Sequence, residues 1–380
     1  AQWGFALSAS GITIAVLAPV FGAIADQAGA RKPWLAGFSA LAIVTTAARW
    51  WVEPDPMFAP LALVLMAVSN IGFEAGIVFY NAMLPELVPP SHVGRLSGWG
   101  WGIGYIGGVI CLGIALFGFV QPATPPFGLV KAAAEHVRAT ALLTAAWFAL
   151  FALPIFLWTP DRPATGHDFS TSLRRGIVSL MGTLHDLPRH PSIALFLIAQ
   201  MIYTDGLNTL FAFGGIYAAN AFGMPLEEVL EFGIALNLIG GLGAIGFAWI
   251  DDWIGPKRTV LLSVAAAILL GGAVLLVHDK RLFWGLALGL GVFFGPIQAA
   301  SRSLMARLAP PALRTEMFGL YALAGKATAY LGPAVLGWAT LTFSSERAGM
   351  ATILAFLAVG FVLLLFVKEP KSAVSATLAS

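Results

Sequence analysis

Gly22-Ala-Ile-Ala-Asp26-Gln-Ala-Gly29-Ala-Arg31-Lys32 and Ala248-Trp-Ile-Asp-Asp252-Trp-Ile-Gly255-Pro-Lys257-Arg258 carry one charge pattern twice, 226 residues apart. An aspartate, a glycine and two basic residues fall at offsets 0, +3, +5 and +6 in both copies. Each copy lies between two long apolar stretches, so each reads as a tight turn between two helices. A turn repeated at this distance divides the 380-residue chain into two similar helical halves.

Working outward, hydrophobic residues make up 58% of the chain and charged residues 11%. Mean hydropathy is +0.84. Soluble domains carry about a quarter charged residues, so the composition is that of a polytopic membrane protein. The net charge of +2 is small, and the basic residues are scattered over short loops, which argues against nucleic acid as a partner. Cys111 is the single cysteine, so no intrachain disulfide forms. No segment has the charged start and cleavage site of a signal peptide.

A membrane helix needs roughly 20 apolar residues. Spans are predicted near 3–25, 34–52, 59–83, 97–120 and 139–158, then near 192–217, 228–250, 259–278, 282–301, 315–338 and 350–367. The repeated turn follows the first span of five in one half and the second span of six in the other. The expectation is an all-α fold with two pseudo-symmetric halves, eleven spans visible of twelve, the absent one belonging at the start of the first half. A second repeat supports this register: Leu87, Pro89, Pro90, Gly98 and Gly104 match Leu308, Pro310, Pro311, Gly319 and Gly325 at an offset of 221. Duplicated helical halves are an architecture of secondary transporters. The expected divisions are a first half over 1–158, a linker over 159–191 and a second half over 192–380.

Lysine and arginine set the orientation. With both repeated turns in the cytoplasm, fourteen basic residues fall on that side, Arg95, Arg302, Lys368 and Lys371 among them, and six fall outside. Ala1 is then extracytoplasmic and Ser380 cytoplasmic. In the linker, Ser172 to Leu187 alternates basic and apolar residues at helical spacing, with Leu173, Ile177, Leu180, Met181 and Leu184 on one side. This predicts a helix lying in the membrane interface and tethering the halves.

Gly22, Asp26, Gly29, Arg31 and Lys32 together resemble the signature loop of the major facilitator superfamily; in the second copy Ala248 replaces the first glycine. Further stretches resemble one branch, the fungal autophagy-related vacuolar amino-acid effluxers and their bacterial relatives. These are Phe79-Tyr80-Asn81-Ala82-Met83-Leu84-Pro85-Glu86, Tyr203-Thr-Asp205-Gly206, Gln298-Ala-Ala-Ser301-Arg302-Ser303-Leu304 and Phe318-Gly319-Leu-Tyr321-Ala-Leu-Ala-Gly325-Lys326. The resemblance implies a monomeric carrier of a small solute, an amino acid or similar zwitterion, in the bacterial inner membrane. It implies that Asp26, Gly29, Arg31, Lys32, Asp252, Lys257 and Arg258 form a cytoplasmic gate. The alternative for these residues is that their charges only mark topology.

Two acids, Glu74 and Asp205, and one base, Lys326, are expected deep within spans. A charge at the bilayer centre costs roughly 2.5–3.5 kcal/mol, so all three must face the interior, pair or change protonation. Asn70, Glu74 and Asn81 share a helix face, with Tyr80 beside them. Asp205 precedes Asn208 by three residues, and Lys326 precedes Tyr330 by four. With Gln298, these are the candidate substrate and coupling residues. One reading has a carboxylate binding a proton, or another coupling ion, or a substrate ammonium. The other has Glu74 or Asp205 neutralising Lys326 as a static brace. The six histidines fall in loops or at helix ends, so a proton relay at mid-depth falls to the carboxylates.

An intramembrane enzyme is disfavoured. No His-Glu-x-x-His motif, Gly-x-Ser-x-Gly elbow or mid-span aspartate pair is present, and neither a cofactor nor a metal is expected. A transport fold turned receptor or assembly factor would be expected to lose its mid-span charges, which are present. A peptide, sugar, lipid or drug remains an alternative substrate.

Overall fold

The computed structural model describes residues 2–369. All eleven stretches read as spans are helical. They are α1 (Gln2–Ala28), α2 (Lys32–Ala47, prolonged by a 3-10 turn to Trp51), α3 (Ala59–Leu87), α4 (Val93–Gly113, continued as π-helix to Val120) and α5 (Glu135–Trp158). After the linker helix α6 (Phe169–Asp186) come α7 (Pro191–Phe222), α8 (Leu226–Ile254) and α9 (Pro256–Leu276). The next two spans are each broken, into α10 (Lys280–Gly291) and α11 (Phe294–Leu308), then α12 (Arg314–Ala327) and α13 (Leu331–Phe343). α14 (Glu346–Leu365) completes the series. Among the described residues, nine helical stretches are long and apolar enough to cross a membrane. α2 is short, and the α12–α13 span is interrupted.

The breaks have one cause. Pro296 and Pro333 each lack an N–H and clash with the carbonyl four residues back, at positions 292 and 329. Breaking there places each proline in the first turn of the following helix, where no intrahelical donor is needed.

Two compact units emerge, each including a short piece from the other half of the sequence. The first holds the chain up to Met83, Gly107–Leu180 and Thr315–Leu323. Its core includes Ile14, Ile24, Phe79 and Ala82, all nearly inaccessible. Trp34 stacks on Phe79 with ring centroids 5.9 Å apart. The second holds Leu84–Ile106, Met181–Arg314 and the chain from Ala324 onward. There a Cβ at Gly360 on α14 would lie 2.7 Å from the Tyr203 side chain of α7. Membrane helices gain stability by such close backbone approach at small residues.

α6 starts one turn earlier than the sequence indicates, at Phe169, because Asp168 caps it. The Asp168 carboxylate accepts from the Thr171 amide at 3.4 Å and from the Ser170 hydroxyl. Those hydrogen bonds hold its carboxyl down to about 2. The expected apolar side is divided: Leu180 is buried with Ser172 and Gly176, whereas Ile177, Met181 and Leu184 stay exposed.

Candidate functional site

Gly29 and Gly255 adopt φ of +88° and +91°, a region that L side chains rarely adopt. Each therefore turns the chain sharply between two helices and leaves the preceding aspartate at a helix end. In the first unit, Asp26 reaches the start of α12. Its carboxylate accepts from Thr315 Oγ1 at 2.6 Å and from the Glu316 amide at 2.9 Å. In the second unit, Asp252 reaches the start of α4. It accepts from the amides of Gly94 and Arg95 at 2.8 and 3.2 Å, and from Arg95 Nε at 2.8 Å. Glu316 and Arg95 are the third residues of their helices, whose N–H groups have no intrahelical acceptor. Both aspartates thus act as N-caps supplied by a different helix.

The two clasps are equivalent under the repeats read from the sequence. A Cβ at Gly319 would lie 2.6 Å from the Ala18 carbonyl, and one at Gly98 would lie 2.6 Å from the Ala244 carbonyl. Those pairs are related by the same offsets of 226 and 221 as the motifs. Gly22 closes the first crossing, with a Cβ there 2.4 Å from the Thr315 carbonyl.

The surrounding charges differ between the copies. Arg31 is fully buried: Nε donates to Thr315 Oγ1 at 2.8 Å, Nη1 to the Ala82 carbonyl at 2.9 Å, and Nη2 lies 3.4 Å from Asp26. Asp161 caps α2 through the amides of Arg31 and Lys32, both at 3.0 Å. Lys32 Nζ donates to the carbonyls of Phe156 and Thr159. In the second copy, Lys257 Nζ donates to the Leu365 carbonyl at 2.8 Å, and Arg258 is exposed. Arg307 and Glu369 pair nearby at 3.4 Å. Burial pushes the Glu369 carboxyl above the ordinary carboxylate range, and Arg307, Lys257 and Arg258 oppose that rise.

The deep charges have distinct settings. Asp205, 2% exposed, accepts from the Gly332 amide at 3.2 Å and so caps α13 at the break in its span. A Cβ at Gly332 would lie 2.9 Å from Asp205 Oδ1 and 2.0 Å from Thr209 Oγ1. Lys326 is not mid-helix as expected; it is the penultimate residue of α12, at the same break. Tyr330 sits in the break and is exposed, as is Asn208 one turn beyond Asp205. Glu74 on α3 is half-buried, Asn81 is buried and Tyr80 exposed. Asn70 Nδ2 donates to Ser10 Oγ of α1 at 2.9 Å, bracing two helices. Gln298 Nε2 donates to Tyr105 Oη at 2.8 Å.

One buried charge is a correction. Arg302, assigned from the sequence to a loop, lies inside α11 and is 5% exposed. Its guanidinium donates to Ser97 Oγ at 2.9 Å and to the Ser97 carbonyl at 2.7 Å, near the Trp101 ring. Neighbouring Ser301 shares a 2.6 Å hydrogen bond with Tyr203. Asp251, Thr315 and Glu316 were also missed as buried polar groups; each stands at a helix end where the sequence resembles an ordinary loop margin.

A family model described as "Vacuole effluxer Atg22 like" matches residues 4–95 and 91–377. An uncharacterised MFS-type transporter of Bacillus subtilis, YxiO, is 28% identical over 98% of this chain and 86% of its own length. Autophagy-related protein 22 of Cryptococcus neoformans is 25% identical over 73% of this chain, a match spanning 52% of that relative. Among solved structures, the proton:xylose symporter XylE has a TM-score of 0.74 at 14% identity, covering 97% of this chain and 86% of that one. A bacterial homologue of the iron transporter ferroportin, in an outward-facing state, scores 0.67 at 15% identity, with 95% and 89% covered. These structural likenesses concern the fold alone. The chain belongs to the Atg22-like family of major facilitator superfamily transporters.

Proposed function

We propose that the chain is a secondary active transporter that moves an amino acid or similar zwitterion by alternating access, coupled to protons. The observation that carries this reading is the pair of equivalent clasps. Each is built from a few strong, charge-assisted hydrogen bonds to helix N-termini, discrete contacts that can be made or lost together. Each joins a repeated loop to a helix start from the other half of the sequence. In the cycle these clasps hold one face shut and release it when the opposite face closes. The basic-residue distribution supports a cytoplasmic position for them, with Ser380 also cytoplasmic, in an inner membrane.

Charges of both signs at depth suit a zwitterion. Asp205 already serves the N-terminus of α13 by accepting from the Gly332 amide, the role of a static cap. Glu74, half-buried on α3 with buried Asn81 two turns along the same helix face, is the coupling carboxylate in this reading. Protonation there offsets substrate movement without leaving a bare charge in the membrane.

Purified protein in liposomes, assayed for uptake and for exchange, tests this. Glu74→Gln is expected to abolish gradient-driven accumulation and to preserve exchange, which moves no net proton. Asp205→Asn is expected to impair both because the α13 N-terminus loses its charged cap; partial rescue by Lys326→Met would show that the two charges act as a pair. Wild-type accumulation in Glu74→Gln would refute the coupling role.

A further inference from the structure

The circumference of α6 divides into three sectors. The first faces the protein: Ser172, Gly176 and Leu180 are buried. A Cβ at Gly176 would lie 2.8 Å from the Ile24 backbone nitrogen, so glycine lets α6 lie directly on the last turns of α1. Ser179 Oγ donates to Glu316 Oε2 at 3.0 Å. Glu316 is the residue whose amide Asp26 holds. α6 therefore touches both helices of the first clasp.

The second sector follows at about 100° per residue. It contains Leu184, Ile177 and Met181, exposed at 47%, 41% and 67%. The third carries the exposed Arg174 and Arg175, with Val178, 65% exposed, between them. The one acid within α6, Asp186, is engaged by Arg189 at 2.6 Å.

This order of faces, protein then apolar then basic, fits a helix at the boundary of a bilayer. Gly176 meets Ile24, four residues before α1 ends at Ala28, which sets α6 at the end of a span. At that depth acyl chains are available to cover the apolar sector and headgroups to meet the arginines. The sign of the exposed charge selects anionic headgroups.

We propose that α6 docks into the surface of an anionic bilayer, and that this docking braces the α1–α12 clasp through Gly176 and Ser179. Lipid charge then sets how readily the clasp opens. Each arginine near an anionic surface strengthens partition by about fivefold.

The test uses the full chain with Cys111→Ser and Met181→Cys carrying an environment-sensitive fluorophore. It is reconstituted in phosphatidylcholine alone and in phosphatidylcholine with phosphatidylglycerol. In the anionic vesicles the label is expected to be shielded from aqueous iodide and quenched by brominated acyl chains, more than in the neutral ones. Hydrogen exchange at the Glu316 amide should slow in parallel. Arg174→Gln with Arg175→Gln should make both readouts independent of lipid charge. A label open to iodide in both lipids would overturn the docking and leave the stripe free for a water-soluble protein. Equal quenching in both would overturn the role of charge. Unchanged Glu316 exchange with an inserted label would overturn the brace. None of these readouts requires transport, so their failure is distinct from failure of the transport reading.

Discussion

Replacing Asp26 by Asn keeps the size of the side chain and removes its charge. The wild-type carboxylate accepts from Thr315 Oγ1 at 2.6 Å and the Glu316 amide at 2.9 Å, and more weakly from the fully buried Arg31 guanidinium at 3.4 Å. Hydrogen bonds to a charged group contribute about 1.5–3 kcal/mol and neutral ones about 1 kcal/mol. Losing the charged increment on two bonds, together with part of the compensation for Arg31, amounts to about 3 kcal/mol. That corresponds to a roughly 140-fold shift from the clasped to the open arrangement. The Glu316 amide reports it, because its acceptor is Asp26 itself. Hydrogen exchange there should accelerate by about two orders of magnitude in Asp26→Asn. Asp252→Asn should leave Glu316 alone and accelerate Gly94 and Arg95 instead. In transport, turnover should fall while the half-saturating substrate concentration holds, since the clasp does not bind substrate. Unchanged Glu316 protection in Asp26→Asn would refute the reasoning.

Other outcomes follow from single contacts. Gly332→Ala sets a methyl 2.0 Å from Thr209 Oγ1, whereas Gly337→Ala enters open space. The first should cost about 1–3 kcal/mol of stability and the second little, as read by thermal melting in detergent. Arg302→Lys keeps the charge but loses the paired donation to Ser97; it should lower the melting temperature clearly, and an unaltered melt would show that the charge alone suffices. Glu369→Gln tests the sign of a pH effect. A carboxyl raised by burial contributes stability when protonated, and that contribution is lost as pH rises through its folded-state pKa. The variant should therefore gain stability relative to wild type from acidic to alkaline pH, and a gap that moves the other way would count against it.

The repeat was legible because the two turns need the same things. A glycine with positive φ and an aspartate three residues earlier are local requirements, and they survive as identities at fixed offsets. The matching glycines, Gly98 and Gly319, were legible for the same reason: a backbone approach of this kind tolerates no side chain. The breaks were harder to see. The first span stays apolar through Val292 and Phe293, and the second carries only Lys326, Thr328 and Tyr330 around its break, so hydropathy gives no direct trace of a lost hydrogen bond. Gly-Pro at 295–296 and 332–333 was the available signal, and its meaning depends on which carbonyl lies four residues back. Arg302 was misplaced because Ser301-Arg302-Ser303 looks like a helix end. Inside the protein, Tyr203 and Ser97 satisfy those polar groups, so the helix continues to Leu308. Lys326 was placed mid-helix because no break was expected there. The settings of Glu74 and Asp205 differ for a reason that sequence hides, namely which carboxylate meets the freed N-terminus of α13.

The most direct measurement is counterflow and pH-gradient-driven uptake of a panel of labelled amino acids by the purified protein in liposomes. The account predicts that at least one amino acid exchanges across the membrane, accumulates when a proton gradient is imposed, and in Glu74→Gln exchanges without accumulating. A correctly folded protein that moves no amino acid in either mode, or that accumulates one equally with and without the gradient, would contradict it.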